Sequence, residues 1–260
     1  MIKTHPSIFI GSPQAFLSSS QRFFACPVAM TRNILALPFA VGQGHPFTEG
    51  MVDYIVSPLL SAAQTRMARF YERYQPTNLL EALFGSTEHP LLHGLTKADL
   101  QPLLSISSKT YLVPWVNEAI PMGGFGEGMP EEAGSHYLGP VSEQHLLSEY
   151  ERVKAVVHSV QTHGFDVEQQ TDTIRGYFLA HQERTVMVVV GGNHRVGALA
   201  ALRSPTIPIE LHPNRPSLVQ LEHIKDWPMV QNGTFSIPLA KAIFTRFFEP
   251  VKNEIEQSKE

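Results

Sequence analysis

The chain has a single cysteine, Cys26, among its 260 residues. One cysteine excludes an internal disulfide framework, and without a CxxC pair the common thiolate metal sites are excluded too. The sequence also lacks any run of 18 or more apolar residues, which predicts a chain without a membrane-spanning helix. From these absences we predict a protein of a reducing compartment, located in the cytoplasm.

An excess of basic residues is missing as well. The chain holds 20 Lys and Arg against 24 Asp and Glu, so its net charge is -4. Domains that bind nucleic acid usually carry a basic patch or a high isoelectric point, so this balance disfavours a nucleic-acid partner. The sequence shows no internal repeat and no low-complexity segment. A hydrophobic content of 43% is typical of a globular protein with a sizeable core.

The most informative stretch is VMVVVGGNHRVGALAALRSPTIPIEL, residues 186–211. Val186–Val190 is rich in β-branched residues, which favours a buried strand. Gly191 and Gly192 then break the run, and the small residues of 196–202 favour a helix. A second strand is predicted at Thr206–Ile209. The order is therefore strand, glycine turn, helix and strand.

This order of elements predicts an anion site at the start of the helix. The first turn of a helix leaves backbone N–H groups unpaired, and the helix dipole favours negative charge there. Gly191 and Gly192 allow close approach of a ligand, while Asn193, His194 and Arg195 add side-chain donors. We interpret the site as one for a nucleotide phosphate. The alternative is a tight turn followed by solvated or structural side chains.

The flanking segments predict further elements of the same domain. The apolar spacing of residues 142–161 indicates an amphipathic helix that carries Arg152, which either contacts a ligand or is solvated. Residues 174–180 form a predicted strand that turns back into 186–190, so the two should pair. A strand at 110–115 would be the first of this domain. The glycine-rich run at 122–130 lacks the Lys-Ser/Thr of a P-loop and is interpreted as a flexible loop, with a ligand lid as the alternative.

A metal site held by the protein alone is not predicted. His89 and His93 have the i, i+4 spacing of helical metal ligands, but Pro90 and Gly94 interrupt any helix there, and no carboxylate lies in register. We therefore predict no metal ligands among the side chains of the chain. Any metal should be Mg²⁺ that accompanies a nucleotide.

The run GGNHR, followed by an alanine-rich helix and a TIPIEL strand, resembles the ParB/sulfiredoxin-like superfamily. Sulfiredoxins carry a GGCHR-type motif in this setting, and ParB-like serine kinases carry a DGHHR-type motif. The similarity extends from about Tyr137 to Leu211 and includes GPVSEQ, HGFD and IRGYFL. The order is most similar to that of uncharacterised ParB-like proteins encoded among bacterial surface-polysaccharide genes.

The resemblance implies roles for particular residues. Gly191, Gly192, Asn193, His194 and Arg195 would bind the phosphates of ATP or another nucleoside triphosphate, with Mg²⁺. Two departures bear on the reaction. Asn193 stands where sulfiredoxin has its catalytic cysteine, which argues against peroxiredoxin repair. Gly191 stands where the serine kinases have a catalytic aspartate.

Two residues of the predicted helix at 142–161 also gain roles by resemblance. Glu143 would correspond to the general base of the kinases, and Arg152 would help to hold the nucleotide. The alternative for Glu143 is an acid favoured at a helix N-terminus by the dipole. The predicted catalytic residues are therefore Glu143, His194 and Arg195.

The predicted fold is α/β, with a small mixed sheet and helices in a ParB/sulfiredoxin-like core. We divide the chain into a mostly helical N-terminal region at 1–107, the nucleotide-binding core at 108–212 and a helical C-terminal extension at 213–260.

Three functions remain open at this stage. The first is a nucleotide-dependent phosphotransferase that acts on a small hydroxyl-bearing metabolite or sugar, in surface polysaccharide biosynthesis. The second is a protein that binds a nucleotide or sugar nucleotide without turnover, which the residues at Gly191 and Asn193 favour. The third is a DNA-associated ParB-like protein, which the acidic balance disfavours.

Overall fold

The computed structural model describes residues 7–122, 134–167 and 173–250. Its α-helices are α1 (Pro13–Leu17), α2 (Pro46–Val56), α3 (Arg66–Arg73), α4 (Leu79–Phe84), α5 (Lys97–Ser105), α6 (Glu143–His163), α7 (Asn193–Ala201), α8 (Pro228–Gln231) and α9 (Ile237–Arg246). Its strands are β1 (Ile8–Phe9), β2 (Phe23–Pro27), β3 (Thr31–Arg32), β4 (Thr110–Tyr111), β5 (Ile120–Pro121), β6 (Arg175–His181), β7 (Arg184–Gly191), β8 (Thr206–Leu211) and β9 (Leu218–Gln220).

The main sheet is mixed, in the strand order β1-β2-β8-β6-β7-β3, with β9 also paired to β6. The pairs β6–β7 and β2–β8 are antiparallel. The pairs β1–β2, β3–β7, β6–β8 and β6–β9 are parallel. The chain is therefore a mixed α/β protein, which confirms the predicted fold class. The more specific ParB/sulfiredoxin-like core stays a prediction.

The strands and helix at the centre of the sequence motif form as predicted. β6 and β7 pair as a hairpin, with Phe178 opposite Met187 and Ala180 opposite Thr185. Helix α7 follows directly after β7, and β8 then enters the sheet beside the start of β6. This arrangement places the N-terminus of α7 at the end of a central strand.

Two parts of the sheet differ from the sequence-based predictions. The irregular, Pro-, Ser- and Gly-punctuated pattern of residues 1–44 predicts at most one short strand, but β1, β2 and β3 all lie there. The pattern of residues 217–224 predicts a short helix, yet the segment contains β9 and the start of a 3-10 helix at Leu221–Asp226. In both cases the backbone pairs with a strand distant in sequence, and this pairing outweighs weak local preference.

The predicted first strand of the core, at 110–115, is also different. Only Thr110–Tyr111 is a strand, and β4 pairs with β5 in a separate two-stranded sheet. The rest of that segment instead supplies buried side chains, among them Val113 and Trp115. The segment predicted as the first strand of the core is therefore a strand over two residues only and lies outside the main sheet.

The apolar spacing of residues 48–74 predicts a helical segment that begins at the N-cap Thr48 and is kinked or broken at Pro58, and the structure has two helices there, α2 and α3. Helix α2 begins earlier than this pattern predicts, because Pro46 occupies its first turn and His45 is its N-cap. Helix α6 agrees with its prediction. Ser142 Oγ accepts a hydrogen bond from His145 N at 3.1 Å, and Gly164 ends the helix with a φ of 74°.

The sheet has a hydrophobic core on each face. Successive residues of its central strands point to opposite sides, so Tyr177 and Val188 belong to one core while Phe178 and Met187 belong to the other. The first core includes side chains of α4, α5 and α9, and the second includes those of α2, α3, α6 and α7. The second face therefore holds the helices that surround the start of α7.

Residues from all three regions of the predicted division contribute to the same sheet and to these two cores. Strands β1–β3 come from 1–107, and β9 comes from 213–260, yet all lie in the sheet with β6–β8. Most of the predicted glycine-rich loop, at 123–130, lies outside the described residues. Across the described ranges, no helix is both long and apolar enough to cross a membrane.

Candidate functional site

The turn between β7 and α7 has the backbone geometry that the anion site requires. Gly191 is the last residue of β7, and Gly192 is the N-cap of α7 with a φ of 79°, in the left-handed region. The N-cap Gly192 makes no side-chain capping hydrogen bond, and the first turn of α7 contains no acidic residue. The N–H groups of the first turn therefore have no N-cap side chain to accept their hydrogen bonds.

Gly192 is required here for two reasons. Its φ is costly for any residue with a Cβ, and a Cβ would approach Ile174 Cα to 3.0 Å. At Gly191 the nearest atom to an added Cβ is Arg175 Cβ at 3.7 Å, an ordinary contact. A side chain with a Cβ is therefore tolerated at position 191 but not at position 192.

We predict that Gly192→Ala lowers the free energy of unfolding by about 2 kcal/mol, because backbone strain and the contact with Ile174 add together. Gly191→Ala is the matched control and should change it by less than about 0.5 kcal/mol. Denaturant unfolding of both variants and the wild type measures the difference. Equal losses in the two variants would contradict the strain argument.

A pocket of about 330 Å³ opens at this helix start. Its lining comes from the start of α7, from α6, from α2 and from the segment before α6, and consists of Gly192, Asn193, His194, Arg195, Arg152, Val156, Phe47, His136 and Tyr137. Arg195 and Arg152 contribute positive charge to this lining. No aspartate or glutamate belongs to the lining as far as the described residues extend. The pocket is therefore suited to an anion.

A carboxylate is buried behind the histidines of the pocket. Glu149 Oε2 lies 2.8 Å from His194 Nε2 and 3.0 Å from His136 Nδ1. Its other oxygen, Oε1, lies 3.4 Å from Arg152 Nη1. The side chain of Glu149 is only 3% exposed. One acid therefore holds two imidazoles and a guanidinium that face the pocket.

Burial and these contacts determine the charge of Glu149 and of His194. Burial alone would raise the pKa of Glu149, but hydrogen bonds from His136 and His194 outweigh it and hold the pKa well below its usual value. Burial lowers the pKa of His194, and the nearby carboxylate offsets only part of that effect. At neutral pH, Glu149 is therefore ionised and His194 is uncharged.

Further contacts fix the orientation of the side chains in the lining. The ring of Phe47 stacks on His194, with centroids 4.0 Å apart and planes at 19°. Tyr71 donates a hydrogen bond to the carbonyl oxygen of His136 at 3.0 Å. Asn193 Nδ2 donates to the hydroxyl of Tyr137 at 3.3 Å. The lining is therefore held by packing from α2 and α3 before any ligand binds.

His45, just before α2, is a buried histidine close to this site. It is 1% exposed and stacks on Phe39 with ring centroids 4.0 Å apart. Neither of its ring nitrogens has a hydrogen-bond partner in the described part of the chain. Burial, with a smaller contribution from His194, lowers the pKa of His45 from 6.5 to about 3.

This lowered pKa predicts a loss of stability in acid. Between pH 6.5 and about 3 the unfolded chain binds a proton at His45 that the folded chain does not. Stability therefore falls with falling pH, by about 1.4 kcal/mol per unit from this group. In His45→Phe, the loss between pH 7.5 and 5 should be smaller than in the wild type by about 2 kcal/mol. Denaturant unfolding at both pH values measures it, and an unchanged loss would contradict the assignment.

The structure brings most of the predicted site residues together. Gly192, Asn193, His194, Arg195 and Arg152 all line the pocket, and Gly191 directly precedes them.

Glu143, the predicted base, is placed elsewhere. It lies exposed in the first turn of α6 and outside the pocket lining. Of the two histidines considered as metal ligands, His89 Nε2 instead lies 3.4 Å from Glu249 Oε2.

Sequence reasoning missed Glu149, His136, Tyr137 and Phe47. Glu149 precedes Arg152 by three residues, so the two share a face of α6, and this spacing was the one available indication. His136, Tyr137 and Phe47 come from segments whose positions depend on tertiary packing. No pattern in the sequence brings them to the start of α7.

Comparison of the chain with protein-family models, with curated proteins and with solved structures finds no match. The resemblance to the ParB/sulfiredoxin-like superfamily therefore stays a prediction from the motif and its order of elements. The function has to be inferred from the pocket itself, meaning from its helix start, its arginines and the histidines held by Glu149.

Proposed function

We propose that the pocket at the start of α7 binds the phosphate groups of a nucleotide. The observation that carries the proposal is the convergence of two guanidinium groups, on Arg152 and Arg195, with an uncapped helix N-terminus. Each of these groups favours an anion, and arginine in particular matches the geometry of phosphate oxygens. No carboxylate among the described residues lines the pocket itself, and the ionised Glu149 behind it is already paired with Arg152 and hydrogen-bonded to the two histidines.

The size and surroundings of the pocket support a small phosphorylated ligand. A volume of about 330 Å³ lies near the lower end of the range for small-molecule sites. Tyr137 and Phe47 add aromatic surface beside the charged groups. Such a lining suits the phosphates together with an adjacent flat or apolar part of the ligand.

The fuller form of the proposal is a phosphotransferase that acts on a small hydroxyl-bearing metabolite or sugar. Phosphoryl transfer depends mainly on positioning and on charge stabilisation, and two arginines on the phosphates supply both. Mg²⁺ would arrive with the nucleotide. A role in surface polysaccharide biosynthesis follows from the resemblance alone.

Binding without turnover is the second candidate, and one observation favours it. Glu143 lies outside the pocket lining, so the acid expected to accept the substrate proton is not positioned to do so. Gly191 provides no acid either. Under this alternative the same pocket would sense a nucleotide or a sugar nucleotide.

A thermal-shift screen of nucleotides and nucleotide sugars, with and without Mg²⁺, tests the binding proposal. A ligand at 100 times its Kd should stabilise the chain by about 2.7 kcal/mol. Arg195→Gln should weaken binding by about 10- to 150-fold, because a charge-assisted hydrogen bond contributes about 1.5–3 kcal/mol.

Arg69→Gln is the control, since Arg69 is exposed on α3, outside the pocket lining, and the change in net charge is the same. Equal weakening by both variants would show a general charge effect. The absence of a shift with every ligand would overturn the proposal.

Single-turnover assays with ATP and CTP separate the two candidates. With a hydroxyl-bearing acceptor such as a sugar present, formation of ADP or CDP together with the phosphorylated acceptor, lost in His194→Ala, supports the phosphotransferase, whereas free phosphate alone indicates transfer to water. Binding without any product supports the sensor. Both outcomes depend on nucleotide binding, which the thermal-shift screen establishes first.

A further inference from the structure

Three potential metal ligands converge from separate parts of the chain. They belong to His136, to Glu149 on α6 and to His194 on α7, and one potential ligand atom of each lies within 4.8 Å of the other two. Two imidazoles and one carboxylate make up a common ligand set for zinc in enzymes and for other divalent transition metals.

We infer that His136, Glu149 and His194 bind one divalent transition metal ion of the Zn²⁺, Co²⁺ or Mn²⁺ class. Ligands at about 2.0–2.2 Å from one ion lie about 3–3.5 Å from each other. The distances from Glu149 Oε2 to the two ring nitrogens, 2.8 and 3.0 Å, are close to that range. The ligand atoms of the two histidines lie no more than 4.8 Å apart, so a small rotation of one imidazole would complete the set.

The surroundings of the three residues are suited to ligands rather than to mobile surface side chains. Glu149 is nearly fully buried, and its Oε1 is held by Arg152, so Oε2 is left to coordinate. Phe47 stacks on the His194 ring, and Tyr71 anchors the backbone of His136. Contacts of this kind orient first-shell ligands and raise metal affinity.

The position of the cluster leaves the ion open on one side. His136 and His194 line the pocket, while Glu149 lies behind them. With three protein ligands, the remaining coordination positions would face the pocket, as in catalytic rather than structural zinc sites. The ion would then offer a Lewis-acidic contact to an oxygen atom of whatever ligand the pocket holds. This inference does not depend on the nucleotide proposal.

Metal titration of the chelator-treated full chain, without any nucleotide, tests the proposed metal site. Equilibrium dialysis against Zn²⁺ should give one bound ion per chain, and Mg²⁺ should bind far more weakly because imidazole nitrogen suits transition metals. Glu149→Gln and His136→Gln should each weaken Zn²⁺ binding by at least about 10-fold. His181→Gln is the matched control, because His181 forms an exposed pair with Glu222 at 2.9 Å, and no third ligand lies beside them among the residues that the structure describes.

Spectroscopy of the wild type keeps the test independent of whether the variants fold. The visible absorption of the Co²⁺ form should report a four- or five-coordinate ion, and X-ray absorption of the Zn²⁺ form should report nitrogen and oxygen ligands that include two imidazoles. Failure to bind any of these ions, or equal loss of binding in His181→Gln, would overturn the inference. A negative result here leaves nucleotide binding untouched, because no nucleotide is present in the titration.

Discussion

Glu149→Ala is expected to lower the free energy of unfolding by about 3–5 kcal/mol at neutral pH. The substitution removes a buried, ionised carboxylate that contacts His136, His194 and Arg152. Hydrogen bonds to charged groups contribute about 1.5–3 kcal/mol each, and the partners left in the protein lose their acceptor. Denaturant unfolding in the presence of a chelator measures the loss without any contribution from bound metal.

The same helix offers a control for this prediction. Glu151 is two residues further along α6, and its side chain is 68% exposed while paired with Lys154. Exposed ion pairs contribute about 0–1 kcal/mol, so Glu151→Ala should change stability little. If Glu149→Ala costs no more than Glu151→Ala, the buried carboxylate does not organise the pocket.

Gly139→Ala should be at least as damaging, for a steric reason. A Cβ at this position would lie 1.8 Å from the carbonyl oxygen of Tyr71 and 2.7 Å from its carbonyl carbon. Gly139 N also donates a hydrogen bond to the Tyr74 carbonyl at 2.8 Å, so the two backbones are in direct contact. Because backbone atoms cannot rotate away, we expect a loss of about 3 kcal/mol or more.

The consequence of Gly139→Ala extends to the pocket. The segment that contains Gly139 also carries His136 and Tyr137, so moving it off α3 displaces two lining residues. Ligand and metal binding should therefore weaken together with stability. Gly85→Ala is the control, because its φ of 78° is unfavourable for alanine but an added Cβ meets nothing within 4 Å. A similar small loss in both variants would contradict the steric argument.

The parts of the fold that could be predicted are those that local pattern determines. The hairpin of β6 and β7 and the helix α7 follow from a β-branched run, a glycine pair and a run of small residues. Strand β2 could not be recognised in the same way. It pairs with β8, which lies far away in the sequence, and its residues show no clear alternation of apolar and polar side chains.

In the candidate site, too, mainly the residues of a local sequence motif could be predicted. Gly192, Asn193, His194 and Arg195 are consecutive, so the motif alone could place them at one helix start. Glu149 belongs to a different helix, and its importance comes from being buried against two histidines. The resemblance points instead to Glu143, an acid at the start of that helix. Only the packing of α6 against α7 distinguishes the two acids.

The most direct test of the central claim is a titration of the isotopically labelled chain with ATP, followed by ¹H–¹⁵N NMR. If the uncapped start of α7 holds the phosphates, the amide signals of Gly192, Asn193, His194 and Arg195 should show the largest shifts, and Arg195→Gln should weaken the response. If these amides stay unchanged while signals elsewhere move, or if no signal moves at millimolar nucleotide, the pocket does not bind phosphate and the account is wrong.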